Sequence, residues 1–180
     1  MAEFDMKNMN LMGIIALVGA IILIVGVFLG WISAKDVADA KVYSGWDIWS
    51  NVDGIQNTKN FIAFTISGIG YAYIPLVALI CGIISLALMV MPTIMNTEKF
   101  EQINNILGIV ALILALVVVI CGILFYTQSI NVTSLLSGTS KPMTDYFAIG
   151  IGFWLTLVGG IITLVGGLMP ILKNKGIIKF

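Results

Sequence analysis

The chain has 180 residues, with nine basic and nine acidic side chains, no His and a formal net charge of zero. Only 10% of the residues are charged and 59% are hydrophobic, with a mean hydropathy of +1.08, whereas a soluble domain carries about 25% charged residues. So few charges cannot coat a water-facing surface. The balanced charge excludes an electrostatic footprint for nucleic acid, and the missing His removes the commonest general base and transition-metal ligand.

The hydrocarbon core of a bilayer is about 30 Å thick and takes roughly 20 apolar residues to cross as a helix. Residues 11–31 meet that length without a charge and form the first predicted span. This run is longer than a signal-peptide core of about 7–15 residues. The A-x-A pattern Ala38-Asp39-Ala40 lies well beyond its end, so the span is expected to be uncleaved. Residues 32–60 follow as a long outer loop. Residues 61–95 are uncharged but too long for one perpendicular span. Gly68, Gly70 and Pro75 divide them into an outer extension over 61–70 and a second span over 73–91, with Pro92 marking its inner end. Residues 106–126 are the third span, 127–145 a second outer loop, and 146–172 a longer fourth span. The predicted fold is all-α and transmembrane: one integral membrane domain over 1–180, with an outer loop domain, either a β-hairpin or a small sheet, between spans 1 and 2.

Four spans place both termini on one side, together with Lys7, Lys99, Lys173, Lys175 and Lys179. Lys35, Lys41, Lys59 and Lys141 fall in the longer loops opposite. The denser lysines predict cytoplasmic termini and a multi-pass protein of the cell membrane. The richness in Ile, Lys and Asn points to an AT-biased, prokaryotic genome.

Lipid is as apolar as leucine, so such helices associate through close packing at small residues. Gly19 and Gly26 are seven apart in the first span, as are Gly108, Ala115 and Gly122 in the third and Gly152, Gly159 and Gly166 in the fourth. That period predicts a left-handed bundle. Gly160 and Gly167 make a second row on the fourth span. These rows seal the bundle, or one of them faces another subunit. "GIIALVGA" from Gly13 and "GIVALILA" from Gly108 also look alike, as two helix-loop-helix halves would.

No ionisable residue falls inside a span, which argues against a pump or proton-coupled carrier. Ser85, Thr156 and Thr163 are the polar groups there. Cys81 and Cys121 lie in apolar runs and read as small hydrophobes. The loops offer no catalytic, cofactor or metal site. "NVDG" at 51–54 puts Trp49 and Asn60 where a calcium loop needs acids, so it reads as an Asp-Gly turn. Asp36, Asp39, Asp47 and Asp53 read as a solvated acidic face, and the sequon at Asn131 as a chance triplet.

The tryptophans carry the remaining signal. Trp31, at the end of the first span, suits an interfacial belt anchor. Trp46 and Trp49 sit within the loop, in "KVYSGWDIWSNVDG". They share a face if the segment is helical and not if it is a strand. Val42 and Tyr43 favour a strand.

Trp31 together with Gly45-Trp46-Asp47-Ile48-Trp49 resembles the claudin and peripheral-myelin-protein superfamily of four-span proteins. The chain departs from it in lacking two cysteines in the first loop. The resemblance implies a left-handed four-helix bundle, an outer loop domain packed on it, lateral self-association and no enzymatic activity. By that likeness Trp31 and Trp49 pack the loop, leaving Tyr43 and Trp46 for contact with itself or another membrane protein. Two further readings stand beside it: a small accessory subunit of a larger membrane complex, and a channel or carrier for an uncharged solute.

Overall fold

The computed structural model describes residues 11–35, 39–50, 72–94, 101–131 and 140–174. The chain is mostly helical. In order come α1 (Leu11–Phe28), β1 (Gly30–Ala34), β2 (Val42–Ser44), α2 (Gly45–Ser50), α3 (Ile74–Ile94) and α4 (Glu101–Thr127). Then follow β3 (Ser129–Asn131), β4 (Ser140–Pro142), the single turn α5 (Met143–Tyr146), β5 (Phe147–Ile149) and α6 (Ile151–Asn174). The expected outer extension at 61–70 lies outside the described residues.

The four long helices pack side by side in the cyclic order α1, α6, α4, α3, and the α1–α6 contact is the most extensive. Ile106–Thr127 and Ile151–Met169 are long and apolar enough to cross a membrane; the apolar segments of the other two, Gly13–Phe28 and Ile74–Val90, are shorter. Burial on α4 falls at Gly108, Ala111, Ala115, Val118, Gly122 and Phe125, advancing by three and four residues. Exposure on α6 follows the same rhythm at Ile151, Trp154, Val158, Ile161, Val165 and Leu168. The inward side mixes small or hydroxyl residues, Ala16, Ala20, Ala78, Ser85, Thr156 and Thr163, with large apolar ones such as Leu23, Val118, Phe125 and Phe153. The outward side is Ile, Leu and Val on all four helices. A helix on a water-soluble protein turns charged and polar residues outward instead. Gly13, Ala16 and Ala20 are buried, and so are Gly108, Ala111 and Ala115, so the two similar octapeptides turn equivalent positions inward.

The α1–α6 seam is close because glycines on each helix face backbone of the other. A β-carbon on Gly159 would lie 2.4 Å from the Leu23 nitrogen, and one on Gly19 2.5 Å from the Thr163 nitrogen. At Gly26 the same atom would lie 2.5 Å from the Thr156 nitrogen, and at Gly166 2.5 Å from that of Ala16. Gly152 meets Leu29 and Gly26 in the same way. The second row turns to α4, where Gly160 meets Val118 and Gly167 meets Gly108 and Leu112. Gly122 faces Leu157 of α6, and Ala115 is buried on the same stripe of α4. Of the two readings of the glycine rows, the packing within the chain follows the first, in which they seal the bundle. α6 has two neighbours within the chain, and each takes one row.

Three boundaries differ from the sequence reading. α1 ends at Phe28, and Trp31 belongs to β1. α3 continues through Pro92 to Ile94, so this proline does not end the helix. The apolar stretch that begins at Tyr146 opens with β5 before α6 starts. The reason is sheet pairing: β1 lies between β2 and β5, antiparallel to both, with Ile32 opposite Tyr43 on one side and Ile149 on the other. β3 and β4 form a separate antiparallel pair. The chain turns sharply where Gly150 donates its N–H to the Trp31 carbonyl at 2.7 Å, a place where a β-carbon would sit 2.3 Å from the Gly30 oxygen.

Candidate interaction site at the loop end

The small sheet and α2 sit over the end of the bundle where α1 and α4 finish and α3 and α6 begin. Beneath them lies Trp31, only 1% exposed. Its indole edge meets Phe125 at 5.2 Å and Phe153 at 5.6 Å, both near perpendicular. The last carbonyls of a helix lack intrahelical partners. The Trp31 Nε1–H donates to one of them, Gly26 O, at 3.0 Å. Trp31 is therefore a buried post that caps α1, not an anchor at the bilayer surface. The belt expectation fails because β1 pairing carries the residue inward, over the bundle core.

α2 forms because Ser44 and Asp47 cap it reciprocally. The Asp47 N–H donates to Ser44 Oγ at 3.1 Å, while the Ser44 N–H and hydroxyl donate to Asp47 Oδ2 at 3.0 and 2.8 Å. This is the capping-box arrangement, satisfying orphan donors at both residues. The Ser44 N–H, then its hydroxyl, hold the Asp47 carboxyl below the ordinary carboxylate range, and Lys41 adds to this against partial burial. Asp47 is thus a structural cap and not part of a loose acidic face. Gly45 lets α2 approach: a β-carbon there would lie 2.8 Å from the Val27 oxygen and 2.9 Å from the Trp31 ring. Ile48, 1% exposed, drives into the core beside it.

Trp46 and Trp49 consequently lie on a helix, with their rings 4.8 Å apart and edge-on. Trp49 is half-buried; Gly45 and Ile48 are the fully buried residues of α2. Trp46 is 40% exposed and stacks on Phe28, the last residue of α1, at 5.8 Å. Tyr43 stays in β2, half-buried against the core, with the Lys41 ammonium 5.0 Å from its ring centre. The structure therefore gathers Trp31, Trp46 and Trp49 at one end and leaves Tyr43 on the strand that precedes α2.

The remaining loop contacts tie the cap to the second half of the chain. The Lys35 N–H donates to Tyr146 O at 2.9 Å, and its ammonium to Thr144 O. Gln128, 3% exposed, accepts from the Met143 N–H at 3.0 Å and points its amide nitrogen at Met143 Sδ, 3.0 Å away. Its Oε1 has no hydrogen-bond partner among the described residues. Sequence reading passed over Gln128 and the Ser44–Asp47 box; only the second has a local signal, the S-x-x-D spacing.

Deeper in the bundle, Thr156 and Thr163 are buried in the α1–α6 seam. Each hydroxyl donates to the carbonyl four residues back, Gly152 at 2.9 Å and Gly159 at 2.8 Å. Cys81 and Cys121 are free thiols on α3 and α4. Among the described residues no three His, Cys, Asp or Glu side chains cluster as a metal site would need. No protein-family model, curated protein or solved structure matches the chain.

Proposed function

We propose that this chain is a non-enzymatic, claudin-like four-span protein of the cell membrane. Its four long helices cross as a left-handed bundle with both termini on the cytoplasmic side. Its loop end meets another membrane protein or a second copy of itself. The observation that supports the membrane assignment is the apolar outward face: Ile, Leu and Val are exposed along α1, α3, α4 and α6, where a water-facing bundle would carry charge. Two of these helices have the length and apolarity to span, and the other two pack against them with the same outward face.

Contact falls to the cap because the glycine rows are occupied within the chain. Among the described residues β2 is an edge of the three-stranded sheet, and Val42 on it is well exposed beside Tyr43. Edge strands and exposed aromatics are common docking features. A channel is disfavoured, since the hydroxyls of Thr156 and Thr163 are sealed in a helix seam and bonded to backbone.

The test is extraction in mild detergent followed by native mass spectrometry. A homo-oligomer, or one reproducible membrane-protein partner, is expected, and Val42→Asp with Tyr43→Ala should disperse it. A partner that stays bound to this double variant would move the contact elsewhere. A monomer that stays in plain buffer without surfactant would remove the membrane assignment itself.

A further inference from the structure

We propose that α2 is seated in the lipid headgroup layer, with Trp46 facing the bilayer interface and not a protein partner. This rests on the four-span reading above.

The first argument is continuity. Val18, Ile21, Val25 and Phe28 form one exposed stripe on α1, spaced by three and four residues and therefore on a single face. In the four-span reading that stripe faces lipid. Trp46 stacks on Phe28 at its upper end, and Leu29 beside it is exposed as well. The indole thus extends a lipid-facing surface sideways, where a cap built only to meet a soluble domain would point it away from the bundle.

The second argument is the distribution of aromatic side chains around the bundle. Trp154 in the first turn of α6 and Tyr126 in the last turn of α4 are 43% and 42% exposed, with rings 6.0 Å apart. Tyr73, just before α3, is 45% exposed, close to the 40% of Trp46 beside the end of α1. Three of the four helices therefore have a half-open Trp or Tyr within about one turn, ~5 Å, of their loop end, and Trp46 of α2 stands beside the same end of the fourth, α1. A protein partner sits on one side of a bundle. A medium met equally on all four sides is the bilayer interface, where amphipathic rings settle at headgroup level. All Trp and Tyr of the chain lie between positions 31 and 154, in the loops or at the loop ends of the spans, so the girdle is one-sided.

Seating α2 this way fixes the cap from below through Gly45 and Ile48 and from the side through Trp46.

The experiment uses the full chain in phosphatidylcholine vesicles, with Cys81→Ala and Cys121→Ala as background. A nitroxide is attached in turn at Trp46→Cys, Val42→Cys, Trp154→Cys, Ile113→Cys and Ile161→Cys. Collision with a water-soluble nickel chelate should be several-fold lower at position 46 than at 42 and similar to that at 154, with oxygen collision correspondingly higher. A position 46 as open to nickel as 42, or shielded from both reagents as in a protein contact, overturns the proposal. Oxygen-rich, nickel-poor labels at 113 and 161 show that the four-span reading holds in the same sample, so the two failures are distinguishable. Should the position-46 variant fail to fold, the difference in fluorescence between the native chain and Trp46→Phe is read with brominated lipids. The emission lost with Trp46 should be quenched by bromine near the headgroups more than by bromine at the acyl ends. Equal or absent quenching overturns the proposal.

Discussion

Adjacent glycines on α6 allow a controlled test of how the bundle is held. A β-carbon at Gly159 would meet three backbone atoms of α1: Leu23 N at 2.4 Å, Gly19 O at 2.7 Å and Leu23 Cα at 2.8 Å. Backbone cannot swing aside as a rotamer does, so α1 and α6 must part by about 1 Å to restore ordinary contact near 3.5 Å. Overpacking of this kind costs about 1–3 kcal/mol, and the separation is shared by the neighbouring contacts at Gly19, Gly26 and Gly152. Against it stands the helix propensity gained on replacing Gly by Ala, about 1 kcal/mol. Gly160 gains the same propensity, but its β-carbon would meet only side-chain carbons, Val118 Cγ1 at 3.3 Å and Val119 Cγ2 at 3.5 Å. Gly159→Ala should therefore destabilise by up to about 2 kcal/mol, with larger residues at this site blocking assembly of the bundle, while Gly160→Ala is neutral or stabilising. Denaturation in detergent, followed by circular dichroism, measures both. A Gly160→Ala variant as unstable as Gly159→Ala would show that the seam is not set by backbone approach.

Other expectations follow from the cap and the seam. Trp31→Phe keeps a ring but removes the Nε1–H donated to Gly26, and should cost about 1–2 kcal/mol; Trp31→Ala, emptying the site between Phe125 and Phe153, should cost about 3–5 kcal/mol, both read by thermal unfolding. Asp47 has a depressed pKa, so its contribution to α2 is complete above the ordinary Asp value of about 3.9 and disappears as pH falls through the lower folded value. Amide exchange over Gly45–Ser50 should accelerate in that acidic window, and Asp47→Asn should flatten the response. Thr163→Val removes a hydroxyl bonded mainly to its own helix and should lower stability by no more than about 1 kcal/mol in a detergent titration. Gln128→Met removes a buried oxygen without a partner among the described residues, and its melting temperature should match or exceed that of the native chain.

The parts of this fold legible in the sequence are those governed by period and composition. Apolar runs mark the four long helices, and seven-residue spacing of small residues marks their inner faces, because a helix repeats its faces at nearly that interval. What the spacing leaves open is which neighbour each glycine row meets, since that depends on the cyclic order of helices and not on any one helix. The cap is less legible still. Gly30–Ala34 continues the uncharged run of α1, so no charge announces that the chain has left the helix; the strand exists because Ile32 and Ser33 find Tyr43 and Val42 on one side and β5 on the other. The same pairing explains the misplacement of Trp31. A tryptophan at the end of an apolar run has the local signature of a surface anchor, and its burial depends on Phe125 and Phe153 arriving from distant helices. Ser44 and Asp47 make the opposite case. Their S-x-x-D spacing is a sufficient local signal for a helix start, and it alone decides between strand and helix for the two loop tryptophans. Once α2 begins at Gly45, Trp46 and Trp49 must share a helical face and Tyr43 must fall off it. The proposed division between a strand that meets partners and an aromatic face turned to lipid then rests on where one capping box sits.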